Sequence, residues 1–150
     1  MRALIQRVSR AEVRVDKEVV GAIDNGMLIL VGIEREDGPE DEKWLVNKVI
    51  NLRIFPDDEG VMNRSLLEVE GEVLLVSQFT LHARTKKGNR PSYINAASPD
   101  VANRKFQDLV KYFNEEIPGM VQTGQFGAMM EVELVNDGPV TIWIDTKRKE

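Results

Sequence analysis

The apolar run from Met27 to Ile33, opened by Asp24-Asn25-Gly26, constrains the fold of this chain more than any other feature. A strand with one wet face alternates apolar and polar residues, whereas an almost unbroken apolar run of strand length is buried on both faces. A sheet built around such a strand needs cover on each side. Asn-Gly supplies the positive φ angles of primed turns, so Asp24-Asn25-Gly26 predicts a hairpin between Val19–Ile23 and Met27–Ile33.

Further strand signals surround it. Leu4, Val8, Val13 and Val15 alternate with polar residues, and Asp16-Lys17 reads as a tight link into Val19–Ile23. Arg53-Ile54-Phe55 is a short strand before the turn Pro56–Gly60, and Val73 to Leu81 is the most strongly β segment. Near the C-terminus, Met130, Val132 and Leu134 alternate, Asn136-Asp137-Gly138-Pro139 reads as a turn, and Val140, Ile142 and Ile144 alternate again.

Helical spacing occurs twice. Pro39 opens the first helix at its first position, acids Glu40, Asp41 and Glu42 suit its positive end, and Trp44, Leu45, Val49 and Leu52 form a stripe. Ser98-Pro99 starts the second, with Val101, Ala102, Phe106, Leu109, Val110 and Phe113 as its buried face and Pro118-Gly119 beyond its end. The prediction is one α+β domain over 1–150: a mainly antiparallel sheet with about two helices. At 150 residues such a domain buries roughly 68–70% of its unfolded surface.

Composition then removes much of enzymology. There is no cysteine, hence no disulfide, no thiol nucleophile and no thiolate metal site. His82 is the single imidazole, which argues against a histidine-based metal centre; no metal and no cofactor are expected. No apolar run approaches the ~20 residues needed to span a bilayer, Ala3-Leu4-Ile5 is too short for a signal-peptide core, and the chain reads as cytoplasmic.

A net charge of −5 argues against nucleic acid when taken as an average, yet the charge is uneven. From His82 to Pro99 there is no acid, while Arg84, Lys86, Lys87 and Arg90 cluster. Screening confines their field to about 8 Å, so such a loop can track phosphates on an acidic protein. An ordinary solvated loop is the other reading.

Two segments could carry chemistry. Ser77-Gln78-Phe79-Thr80-Leu81 places two hydroxyls and an amide at a strand end beside that loop. A hydroxyl is a weak nucleophile without a base, and in a continued strand His82 would share a face with Thr80 and Gln78 rather than Ser77. A Ser-His-Asp triad has little support; Ser77 and Thr80 are otherwise ordinary strand hydroxyls. Backbone N–H groups and the Gln78 amide could instead stabilise an oxyanion, which suffices for an activated ester whose substrate supplies its own hydroxyl. Aminoacyl-tRNA is such an ester. In the second segment, Asn136 to Thr141, Gly138 allows close main-chain approach and Pro139 fixes φ, on the reading that the backbone enters a pocket. Gly124-Gln125-Phe126-Gly127-Ala128-Met129-Met130 lacks nucleotide-cradle spacing, and Met129 and Met130 suit core or pocket lining.

Ser77-Gln78-Phe79-Thr80-Leu81 together with Asn136-Asp137-Gly138-Pro139-Val140-Thr141 resembles the D-aminoacyl-tRNA deacylases (D-Tyr-tRNA deacylases) along essentially the whole chain. The resemblance implies a barrel-like fold of that family and a homodimeric esterase. Its substrates would be D-aminoacyl-tRNA and glycine mischarged on the tRNA for alanine. It implies that Ser77, Gln78, Phe79 and Thr80 line the site and that Gly138-Pro139, as a cis peptide, enters the other subunit's pocket and excludes L side chains. Met129 is placed with Gly138 and Pro139 as substrate-binding, and Arg84, Lys86, Lys87 and Arg90 as contacts to tRNA. Two chemistries stay open: Thr80 as nucleophile, or assistance by the ribose 2′-hydroxyl with the Phe79 N–H in the oxyanion hole.

Overall fold

The computed structural model describes residues 1–150. One long strand organises it. β1 (Arg2–Val15) pairs along nearly its whole length with β8 (Glu131–Asp145) on one edge. Its other edge is shared by two strands lying end to end, β3 (Gly26–Gly32) beside Arg2–Val8 and β2 (Glu18–Ile23) beside Ala11–Val15.

This arrangement corrects the expected hairpin. β2 and β3 do not pair with each other, and neither Asn25 nor Gly26 has positive φ. The primed turn is Asp16-Lys17, with φ of 49° and 68°, which folds β2 back on β1. Gly26 is required by proximity instead: a Cβ there would stand 1.9 Å from the Glu72 carbonyl oxygen.

Beyond β3 the sheet turns parallel. β6 (Glu72–Ser77) pairs parallel with β3, and β7 (Val121–Thr123) parallel with β6. The connections are α1 (Pro39–Asn51), a small hairpin of β4 (Phe55–Pro56) and β5 (Met62–Arg64), and α2 (Pro99–Glu116). The sheet curls until β2 nears β7, where a Cβ on Gly21 would lie 2.3 Å from the Thr123 carbonyl oxygen. The result is a nearly closed barrel, with two parallel pairings that the sequence reading did not anticipate.

The doubly buried strand has its two covers. Met27, Ile29 and Val31, with Val73 and Leu75, face a core completed by Leu45, Val49, Phe106, Leu109 and Phe113 of the helices. Leu28, Leu74 and Val76 face inward on Val8, Val13 and Ile23, with Met130, Val132 and Leu134 packed against them. Leu4 and Val15, expected on the buried face of β1, are half-buried; Ala3, Ile5, Val8, Ala11 and Val13 are the buried positions. A bulge at Ser9, the residue left unpaired between Val8–Asn136 and Arg10–Val135, shifts the alternation between the two halves of the strand. No helix is long and apolar enough to cross a membrane.

Candidate functional site

Val73–Leu81 does not remain a strand. β6 stops at Ser77, and Phe79–His82 wind into a 3-10 turn that presents side chains where β6 leaves the sheet. The strand-face reading of His82 therefore falls, because its premise was period-two geometry through residue 82.

The end of β3 holds this turn. The Gln78 N–H donates to the Val31 carbonyl at 2.7 Å, and a Cβ on Gly32 would meet His82 Cδ2 at 2.9 Å and the Gln78 oxygen and Leu81 Cβ at 3.0 Å. Glycine at 32 lets the turn settle on the strand. From the opposite side, Arg2 Nη1 donates to the Leu81 carbonyl at 3.0 Å while its Nε reaches Asp145 at 3.1 Å. Burial works to raise the Asp145 carboxyl, but the Lys147 N–H and Arg2 outweigh it and hold the group below the usual carboxylate range.

Within the turn the Gln78 side-chain amide donates to Thr80 Oγ1, and no carboxylate or imidazole is hydrogen-bonded to that hydroxyl. The Phe79 N–H donates to no side chain and no loop carbonyl, and its ring is 55% exposed. His82 is buried beneath. Its Nδ1 lies 3.1 Å from Glu34 Oε1, yet the geometry makes no hydrogen bond and neither ring nitrogen has a hydrogen-bond partner. Ser77 is half-buried at the strand end. Ser77, Gln78, Phe79 and Thr80 thus lie together at the end of β6 and the start of the 3-10 turn.

Asn136-Asp137-Gly138-Pro139 is not a chain-reversing turn. Both halves of β8 run in one direction along β1, and the segment loops out where Gln6 pairs with Thr141 and Val8 with Asn136. The Gly138-Pro139 peptide is cis and both residues are exposed. Asn136 staples the base of the excursion, donating from Nδ2 to the carbonyls of Arg7 (3.1 Å) and Val140 (3.0 Å) and accepting from Thr141 Oγ1 at 3.0 Å. Arg7, 8% exposed, lies below: Nη1 donates to the Ile54 carbonyl at 2.5 Å and Nε lies 3.1 Å from Asp137 Oδ2. Within one chain no hydrogen bond joins this excursion to Ser77–Thr80. Met129 is 93% exposed just before β8.

Arg84, Lys86, Lys87 and Arg90 all lie exposed on a loop pinched by two hydrogen bonds between Arg84 and Ser92, of 2.8 and 3.1 Å. The loop returns through Tyr93 to Ala97, whose N–H donates to Ile33 at 2.9 Å, so one strand end supports both turn and loop. Arg2, Arg7, Gly32 and Tyr93 are supporting residues that the sequence reading did not single out. Arg7 left a legible signal: it continues the buried series Met1, Ala3, Ile5 as a charge on a core face.

The two segments thus present a braced excursion and a hydroxyl-bearing turn on a curled, helix-backed sheet, and comparison with known proteins supplies the family. The sequence model of "D-Tyr-tRNA(Tyr) deacylase" matches residues 4–145, and the chain belongs to that family. A "D-aminoacyl-tRNA deacylase" of Bacteroides fragilis is 57% identical over 150 residues, the full length of both chains. Among solved structures, one titled "c-Myc DNA Unwinding Element Binding Protein" matches with a TM-score of 0.92 and 37% identity, covering 97% of this chain and 98% of that one. A probable eukaryotic D-amino acid tRNA deacylase shares the fold, with a TM-score of 0.79 at 17% identity over 95% and 97% of the two chains.

Proposed function

We propose that this chain is an esterase that hydrolyses the bond between a D-amino acid and tRNA, and also clears glycine mischarged on the tRNA for alanine. Family membership supports the reaction class, and the names of its relatives supply the substrate class. The observation that carries the mechanism is the Gln78–Thr80 contact: the hydroxyl accepts from an amide and has no base to take its proton. Water attacks the ester carbonyl carbon, the carbonyl oxygen becomes an oxyanion facing the Phe79 N–H, and the bond to the ribose oxygen breaks. The neighbouring ribose hydroxyl relays the proton from the attacking water to the leaving oxygen, releasing free amino acid and tRNA.

Selectivity is assigned to the Gly138-Pro139 tip. In a homodimer, the tip of one subunit enters the pocket of the other and leaves no room for an L side chain, while a D side chain or a glycine hydrogen is accommodated. Its exposure on a braced excursion supports this role. Met129, exposed nearby in sequence, contributes to the substrate surface, and Arg84, Lys86, Lys87 and Arg90 contact tRNA phosphates, all in the cytoplasm. The rival is a nucleic-acid-binding module without catalysis. Substoichiometric protein decides between them: many D-Tyr-tRNA molecules deacylated per subunit support the esterase, and tRNA binding without turnover supports the module.

A further inference from the structure

The basic loop is flanked by exposed aromatic surface beside the site. Phe79, on the 3-10 turn, and Tyr93, on the returning limb of the loop, meet edge to face with centroids 5.0 Å apart and planes at 75°. Both rings stay open, at 55% and 36% exposed, and Ile94 beside Tyr93 is 78% exposed. Aromatic faces left in water are costly, and this pair is fixed on a rigid base, through the Arg84–Ser92 bridge and the Ala97 hydrogen bond to Ile33.

What covers them is constrained by charge. Arg84, Lys86, Lys87 and Arg90 fan out on the adjacent limb, and residues 83–99 contain no acid. The same patch of a second copy set against this one would bring like charges together, and an aliphatic partner would leave the cations unused. Stackable bases on a phosphate backbone satisfy both features, because exposed aromatics beside a basic groove are how proteins hold single-stranded nucleic acid. We propose that Tyr93, with Phe79, is a stacking platform for the unpaired nucleotides that precede the terminal adenosine of the tRNA acceptor end. The phosphates of those nucleotides run along the 84–90 loop. This rests on the tRNA reading above and assigns Tyr93 a role in it.

The test uses uncharged RNA, so it stands apart from hydrolysis. A fluorescent RNA hairpin with a short unpaired 3′ end is compared with the same hairpin made blunt, on the full-length wild type, Tyr93→Ala and Tyr93→Phe. A stacked base contributes about 1–3 kcal/mol, so the wild type is expected to bind the overhang roughly 10- to 100-fold more tightly than the blunt hairpin. Tyr93→Ala removes that ratio and Tyr93→Phe keeps it. Equal affinity of the wild type for both hairpins overturns the proposal, as does an unchanged ratio in Tyr93→Ala. A Tyr93→Phe variant that behaves like Tyr93→Ala overturns it too, because the hydroxyl rather than the ring face would then be the contact. Loss of self-association in Tyr93→Ala would show that a second copy covers the patch, and also overturns it. A wild type that prefers the overhang yet hydrolyses no D-Tyr-tRNA leaves the platform standing and removes the esterase reading.

Discussion

Replacing Arg7 by methionine keeps the apolar stem of the side chain and deletes the guanidinium that braces the 136–141 excursion. Two interactions are lost. The ion contact to Asp137 is half open to water, 48% exposed on the acid side, and contributes at most ~1 kcal/mol. The charged hydrogen bond to Ile54 is different, since Ile54 is buried and its carbonyl would be left without that donor, a loss of about 1.5–3 kcal/mol. The sum, about 1.5–4 kcal/mol, corresponds to a fall in Tm of roughly 3–15 °C for a chain of this size. A second consequence follows from place. Arg7 Nη2 lies 3.0 Å from where a Cβ of Gly138 would stand, so removing it leaves the Gly138-Pro139 tip, proposed above as the filter, without its floor. Thermal melting and parallel rates on D-Tyr-tRNA and L-Tyr-tRNA read both effects. Arg7→Met should melt earlier and lose part of its discrimination, while Asp137→Asn should melt within a few degrees of wild type and lose discrimination less. An Arg7→Met protein that melts with the wild type and rejects L esters as well would refute the bracing argument.

Gly32→Ala should push the 78–82 turn by a few tenths of an ångström; kcat/KM should fall roughly 10- to 100-fold with a stability loss of about 1–3 kcal/mol, and unchanged kinetics would deny β3 its role in placing the turn. Glu42 is pushed up to about 7, first by burial and then by Asp108, with Asp37 and Asp41 adding to this and Lys105 opposing it. Because the raised carboxyl holds its proton in the folded chain, its contribution is full below about pH 4.5 and lost as pH rises to about 7, at most ~3 kcal/mol. Melting temperature should therefore rise on going from pH 8 to pH 5.5, and Glu42→Gln should flatten the curve; a wild-type curve already flat over that range contradicts the assignment. Thr80→Ala should keep D-Tyr-tRNA hydrolysis within about tenfold of wild type, the effect of one lost hydrogen bond, whereas near-complete loss with fold and tRNA binding intact would make Thr80 the nucleophile.

The legible parts of the fold were those fixed by local chemistry. Pro39 and its acidic first turn, the Phe106–Phe113 stripe and the run from Met27 all became the elements their periodicity indicated. What the sequence concealed were decisions made by distant partners. Asn25-Gly26 satisfies a close approach by Glu72, not a turn, and nothing local distinguishes the two. Ser77–Leu81 has the composition of a strand, but the ladder to β3 ends with the Gln78 N–H on the Val31 carbonyl, and the chain beyond it winds into a turn. The Asp137-Gly138 pair looks like a reversal, yet the register to β1 resumes in the same direction on both sides. The two motif segments were readable as positions, while their supports, Arg2, Arg7 and Gly32, follow from contacts across the sheet.

The most direct test of the account is the rate of deacylation of matched D-Tyr-tRNA and L-Tyr-tRNA by catalytic amounts of protein, set against the uncatalysed rate. Rapid loss of the D ester is expected while the L ester decays at its uncatalysed rate. Equal acceleration of both would leave an esterase without its Gly138-Pro139 filter, and acceleration of neither would contradict the assignment of catalysis to the Ser77–Thr80 turn.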